Sequence, residues 1–152
     1  MPSVSSPEAT ELVPVPPVEH PDPALRRVVL IDPRPERRAL MGLLVAQCPG
    51  LSVAGMAADL GEAETQIREK QADIAIVEIQ MPVADGLAAI AALRAQFPDL
   101  RIAVCSFHDE AATREAARAQ GADAYLSKPL SPRDLFAIAA GPHPALAGSP
   151  TP

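Results

Sequence analysis

Ile74-Ala75-Ile76-Val77 is an unbroken apolar run that stops at the carboxylate of Glu78. A strand whose every side chain is apolar must be covered on both faces, the condition of a central strand in a parallel sheet. Short apolar runs of this kind recur along the chain, separated by longer stretches of helical period. Val28 to Ile31 reads as the first strand. Pro35 to Gln47 then reads as a helix with Leu40, Leu43, Leu44 and Cys48 on its inward stripe. Ser52 to Met56 is a weaker second strand, and Ala63 to Lys70 a helix held by Ile67 and a sparse alanine face. After the central strand, Gly86 to Phe97 places Leu87, Ile90, Leu93 and Phe97 at near-helical spacing. Arg101 to Cys105 is the fourth strand, Glu110 to Gln120 an alanine-rich helix, and Ala124 to Leu126 the fifth strand. Ser131 is a good N-cap for the last helix, with Pro132 where a missing N–H costs nothing and Asp134 at the third position. Gly141-Pro142 ends it. Five strand–helix pairs predict an α/β fold, a doubly wound five-stranded parallel sheet in a three-layer sandwich with right-handed crossovers.

The ends of the chain have a different character. Residues 1 to 24 hold seven of the 18 prolines and four acids without one Lys or Arg, and residues 142 to 152 hold four more prolines. Both read as disordered proline-rich tails around one folded domain at 25 to 141. Val13-Pro14-Val15-Pro16-Pro17-Val18 is either a solvated linker or a weak ligand for an aromatic-lined groove. The formal charge of -6 belongs mostly to the acidic front tail. No dense basic patch remains to meet a phosphate backbone, so nucleic acid is not an expected partner. No apolar stretch could span a bilayer and no signal-peptide pattern opens the chain, so a cytoplasmic protein without a membrane partner is expected. The two cysteines, Cys48 and Cys105, fit a reducing compartment.

In open parallel sheets, chemistry collects beyond the carboxyl ends of the strands, near the point where strand order reverses. By this reading Asp32 ends the first strand, Glu78 the third and Ser106 the fourth, while Lys128 follows the fifth. Two carboxylates, a hydroxyl and an ammonium therefore converge. No glycine-rich phosphate loop follows the first strand, where Pro33-Arg34-Pro35 stands, so a nucleotide-binding enzyme is not expected.

These four residues, together with Met81-Pro82-Val83-Ala84-Asp85-Gly86 and Lys128-Pro129, resemble the site of the CheY-like response-regulator receiver domain over about residues 26 to 140. The resemblance implies the flavodoxin-like (βα)5 fold and a role in two-component signalling. It also implies that residue 78 stands where the family has the aspartate that takes a phosphoryl group from a histidine kinase. Ser106 matches the hydroxyl that grips a phosphoryl oxygen, Tyr125 the aromatic that turns inward on activation, and Lys128-Pro129 a pair joined typically by a cis bond. Two departures stand out. Pro33 replaces the second acid of the family's pair, and Glu78 carries one methylene more than the acceptor aspartate.

Aspartyl phosphorylation needs an aligned carboxylate and a Mg2+ that shields the incoming charge. Mg2+ demands near-octahedral oxygen ligands. The resemblance implies that the acidic pair, the acceptor and the carbonyl of Gln80 would supply them. Pro33 has no side-chain oxygen, and Glu78 places its carboxylate too far forward for a reacting pair. The expectation is a vestigial phosphoacceptor site (Asp32, Glu78, Ser106, Lys128) with weak or lost Mg2+ binding and no other cofactor. Arg34, two residues beyond Asp32, is expected either to replace the metal's charge by folding toward Asp32 and Glu78 or to point to solvent. A carboxylate at 78 also imitates part of a phosphoryl group, with one charge against roughly two. An active-like lock predicts Tyr125 inward and Ser106 drawn to Glu78; the alternative predicts Tyr125 outward.

Receivers speak through the face of the fourth helix, fifth strand and fifth helix. Tyr125, Phe107, His108 and Arg133 are assigned here to the switch and that output face. A stand-alone, phosphorylation-independent, non-enzymatic module binding a protein partner, with a homodimer through that face as one form, is the favoured reading. The alternative is a working phosphoacceptor with weak or non-standard phosphorylation.

Overall fold

The computed structural model describes residues 25–79 and 83–140. Strands and helices alternate throughout: β1 (Arg26–Ile31), α1 (Pro35–Ala46), β2 (Leu51–Ala57), α2 (Leu60–Lys70), β3 (Ile74–Glu78), α3 (Val83–Gln96), β4 (Arg101–Ser106), α4 (Ala111–Gln120), β5 (Ala124–Ser127) and α5 (Pro132–Ala140). All neighbouring strands are parallel, in the order β2-β1-β3-β4-β5. The α/β expectation of a doubly wound five-stranded sheet holds. The tails expected at 1–24 and 142–152, the helix stop at Gly141-Pro142 and the loop Gln80-Met81-Pro82 lie outside the described residues.

The central run behaves as its composition requires: every residue of β3 is buried. One face of the sheet packs Val29, Ala75, Val77, Ile102 and Val104 against Ala63, Ile67, Ile90, Leu93 and Ala117 of α2, α3 and α4. The other packs Val28, Leu30, Ile74 and Ile76 against Val45, Leu135 and Ile138 of α1 and α5. Burying side chains of this size contributes about 1.5–3 kcal/mol each, and β3 adds Ile74, Ile76 and Val77 to that core.

Two expectations for α1 fail. Leu40 and Leu43 are 58% and 62% exposed, not inward. The face that meets the sheet is Met41, Val45 and Cys48, at i, i+4 and i+7, with Leu44 at its edge. Leu40 and Leu43 fall on the adjoining flank.

Caps explain the helix boundaries. α2 starts earlier than its apolar residues indicate because Asp59 accepts from the Glu62 N–H at 2.9 Å while Glu62 Oε1 accepts from the Ala58 N–H at 2.9 Å. The cap expected on α5 is present in reciprocal form: Ser131 Oγ accepts from the Asp134 N–H at 3.2 Å, and Asp134 Oδ2 from the Ser131 N–H at 2.9 Å. α4 ends at Gly121, whose φ of 118° an L side chain rarely adopts. Arg94 of α3 lies across that turn, donating to the carbonyls of Leu100 and Gly121 at 2.7 and 2.8 Å and pairing with Asp123 at 2.7 Å.

Gly86 has a packing reason. A Cβ at this position would lie 2.7 Å from Ile79 Cγ2 and 3.0 Å from the Ile79 Cα, so α3 crosses the end of β3 without room for a methyl group. Gly86→Ala should lower stability by about 1–3 kcal/mol, the usual cost of overpacking. A lower urea midpoint at unchanged slope would show it, whereas an unchanged midpoint would mean that α3 can move away from Ile79.

Candidate functional site

Strand order turns back between β1 and β3, so their carboxyl ends border the crevice where a parallel sheet exposes polar groups. Asp32 follows β1, Glu78 is the last residue of β3, Ser106 is the last of β4, and Lys128 follows β5. All three of Asp32, Glu78 and Ser106 are buried. The Lys128 N–H donates to the Ser106 carbonyl at 2.9 Å, which continues the β4–β5 ladder one step and fixes where its side chain starts. The Lys128-Pro129 bond is cis.

From there Lys128 reaches over β4 to β3. Its Nζ donates to Glu78 Oε1 in an ion pair whose side chains are only 10% and 3% exposed. Glu78 Oε2 is buried without a hydrogen-bond partner among the described residues. Burial pushes the Glu78 carboxyl above the usual glutamate value, the hydrogen bond and charge of Lys128 oppose that rise, and nearby Asp32 adds to it. Desolvation therefore outweighs the ammonium. Cys105, beside Glu78 in the register, is an inert thiol, pushed up to about 12 by burial.

Asp32 serves its own loop. Its Oδ1 accepts from the Arg34 N–H at 2.9 Å, and its carbonyl accepts from Arg38 Nη1 at 2.7 Å. Of the two expectations for Arg34, the outward one holds and the fold over both acids does not: its side chain is exposed and forms no hydrogen bond or ion pair with Asp32 or Glu78. Arg34 is the N-cap of α1, and the Asp32 carboxylate holds its N–H, turning the side chain outward. The arginine that folds back stands one helical turn on, at 38. Asp32, Arg38, Glu78, Cys105 and Lys128 line a hollow of about 10 Å3, at the lower limit for holding one water. The oxygen donors around it are the two carboxylates; Pro33 supplies none, and the Gln80 carbonyl lies outside the described residues. Among the described residues no three His, Cys, Asp or Glu side chains are grouped to hold a metal.

The hydroxyl and the aromatic meet on the other side of β4. Ser106 Oγ accepts from the His108 N–H at 2.9 Å, and the Tyr125 hydroxyl donates to the His108 carbonyl. Tyr125 therefore faces inward over the β4–α4 turn. Burial raises its phenol, opposed by hydrogen bonding to Ser106 and by the charge of Arg114. Ser106 Oγ is thus engaged with His108 and Tyr125, not with Glu78, so the two features expected of an active-like lock are separated: the ring is inward, the hydroxyl is not drawn across.

Sequence reasoning missed the clamp that holds this ring. Arg114 lies 4.8 Å above the Tyr125 centroid, and its guanidinium donates to Asp109 Oδ1 and to Ser127 Oγ, each at 2.9 Å. Ser127 also donates to Asp109 at 2.9 Å. No spacing rule joins residues 109, 114 and 127. Phe107 corrects another assignment. It is 59% exposed but turned from the α4–β5–α5 face toward α1, with Arg37 at 5.9 Å and Lys128 at 5.4 Å from its ring centroid. Two cations sit on that side of the site, and the ring follows them. His108 contributes its backbone to the switch, and Arg133 is exposed in the first turn of α5.

Comparison with known proteins supports what this geometry implies. A family model described as the response regulator receiver domain matches residues 28–140. The chain is 31% identical over 116 residues to protein-glutamate methylesterase/protein-glutamine glutaminase 2 of Caulobacter vibrioides, covering 72% of this chain and 33% of that protein. It is 31% identical over 110 residues to the nitrate/nitrite response regulator NarL of Escherichia coli strain K12, covering 72% of this chain and 50% of that one. It therefore spans a third to a half of the length of these relatives. The crystal structure of a LuxR-family two-component response regulator from Aurantimonas sp. SI85-9A1 superposes with a TM-score of 0.69 at 31% identity, covering 81% of this chain and 93% of that one. Among the described residues no helix is long and apolar enough to cross a membrane.

The raised Glu78 carboxyl fixes a pH dependence. The folded protein keeps the Glu78 proton to a higher pH than the unfolded chain, so this group's contribution to stability falls as pH rises above the ordinary glutamate range. Glu78→Gln lacks that titration. Its stability relative to the parent should therefore rise between about pH 4 and about pH 8, measured by urea unfolding at both ends. A difference independent of pH would show that Glu78 is solvated in the folded state.

Proposed function

The chain belongs to the response regulator receiver domain family, and we propose that within it this is a receiver that signals without phosphotransfer. The observation that carries the reading is the buried ion pair between Glu78 and Lys128 at the position of the family's phosphoacceptor. The resemblance assigns that lysine to the incoming phosphoryl group. Here a carboxylate one methylene longer already engages it, inside a hollow of about 10 Å3.

The donor set supports the same conclusion for the metal. An octahedral Mg2+ that keeps several of its waters does not fit two carboxylates, one of which holds Lys128 while the other caps the turn to α1. Lys128 supplies the positive charge at this point of the fold, and Arg34 does not. Acyl phosphate formation has neither its cation nor an aligned nucleophile.

The output is a protein contact at the α4–β5–α5 face, with Tyr125 held in the inward orientation that the resemblance links to activation. Support comes from the Asp109–Arg114–Ser127 clamp, which fastens α4 and β5 around the ring. A second copy of the chain is one such partner. The reading is of a binding module, with Cys105 an inert thiol beside Glu78.

Amide spectra recorded before and after addition of Mg2+ with beryllofluoride test this. No change is expected at Glu78, Ser106 or Tyr125 in the chain itself. The Pro33→Asp/Glu78→Asp variant, which restores the acids the family has, should gain a response. A cooperative shift in the unaltered chain would overturn the reading in favour of a working phosphoacceptor.

A further inference from the structure

Two adjoining hollows run along the flank of α1, the lower one between α1 and α5. The upper one, about 270 Å3, is lined by Leu40, Met41, Leu44, Phe107, Pro129 and Leu130. The lower one, about 320 Å3, shares Leu44 and Leu130 and continues past Cys48 and Pro49 to Leu135 and Phe136. Leu40 and Phe107 are each more than half exposed, and so is Phe136. Among the described residues, the charged ones along either hollow are Arg37 and Lys128, both cations at the upper end, and no described carboxylate lines them.

We propose that this groove is the docking site of the chain's own N-terminal segment, with Val13-Pro14-Val15-Pro16-Pro17-Val18 lying in it as an extended left-handed helix and Glu11 beside the cationic end. Four observations commit the groove to this occupant. First, the segment is the kind of ligand an aromatic-lined apolar groove takes, because a polyproline-type strand is already extended and loses little entropy on docking. Second, the lengths agree. Six residues at 3.1 Å each cover about 19 Å, and α1 from Arg37 to Gln47 is about 15 Å long, with the Pro49 turn beyond it.

Third, the described chain begins at the correct end. The Arg26 N–H donates to the Gly50 carbonyl at 2.8 Å, so residue 25 enters next to the Cys48-Pro49 end of the lower hollow. The six residues 19 to 24 bridge from there to Val18, and the segment lies parallel to α1, with Glu11 at the Arg37 end and Val18 at the Cys48-Pro49 end. Fourth, the charges are complementary. Residues 1 to 24 hold four acids and no base, and the upper end of the groove carries the positive charge of Arg37, Lys128 being already paired with Glu78. A segment seated this way covers Phe107 and screens the Glu78–Lys128 pair from water, whether or not the site transfers phosphate.

The test uses the full chain. Val13→Ser/Val15→Ser/Val18→Ser should move the amide signals of Arg37 to Leu44, Phe107 and Leu130 while leaving those of α2 and α3 in place. In the reverse direction, Leu40→Glu should lower the heteronuclear Overhauser effect of residues 12 to 18 toward random-coil values. Groove signals that ignore the valine substitutions would overturn the proposal. It would equally be overturned if they moved only with protein concentration, which assigns the groove to a second copy, or only on Leu146→Ser, which assigns it to the C-terminal segment.

Discussion

A carboxylate at the end of a fully buried strand must be neutralised, and in this protein a lysine from two strands away does it. Glu78 is buried at the end of β3, where desolvation raises its carboxyl. Idealised burial of such an ion is far more costly than the whole domain is stable. Lys128 answers that cost only because the parallel register brings β5 level with β4 and lets its first residue beyond the ladder lean over Cys105. The architecture and the ion pair therefore depend on each other. An unpaired glutamate would destabilise β3, while a lysine left without its acid would strand a charge of the opposite sign.

The consequences spread to both sides of the site. With the ammonium engaged, Phe107 settles over it on the α1 side, and Arg37 joins the same ring. On the far side Ser106 is left to His108 and Tyr125, and the ring turns inward under Arg114. One buried pair thus coexists with an inward switch residue whose hydroxyl partner never approaches the acid. In the proposed account the first feature abolishes phosphotransfer and the second keeps an output surface in place.

Most of the fold was legible because uninterrupted apolar runs such as Ile74 to Val77 admit few alternatives. The convergence of Asp32, Glu78, Ser106 and Lys128 followed from strand ends alone. What failed was rotational: Leu40 and Leu43 belong to a helix whose buried face is one step round, and the run from Ala39 to Ala46, without one polar side chain, gave no contrast to set the phase. The same limit applies to side-chain direction. Arg34 looked close to Asp32 in sequence, yet the Asp32 carboxylate captures its N–H and turns it away, while Arg38 returns from the next turn. Phe107 was assigned to the output face by its loop, but cations on the α1 side decide where a ring lies. The Asp109–Arg114–Ser127 clamp joins three elements by hydrogen bonds that no local pattern encodes.

The central claim is that Glu78 and Lys128 are energetically one unit. Urea unfolding of Glu78→Met, Lys128→Met and the double variant measures this directly. Each single change should cost several kcal/mol, on the order of 3, because it leaves a buried charge alone, and the double variant should recover most of that loss. Single effects that simply add in the double variant would contradict the account.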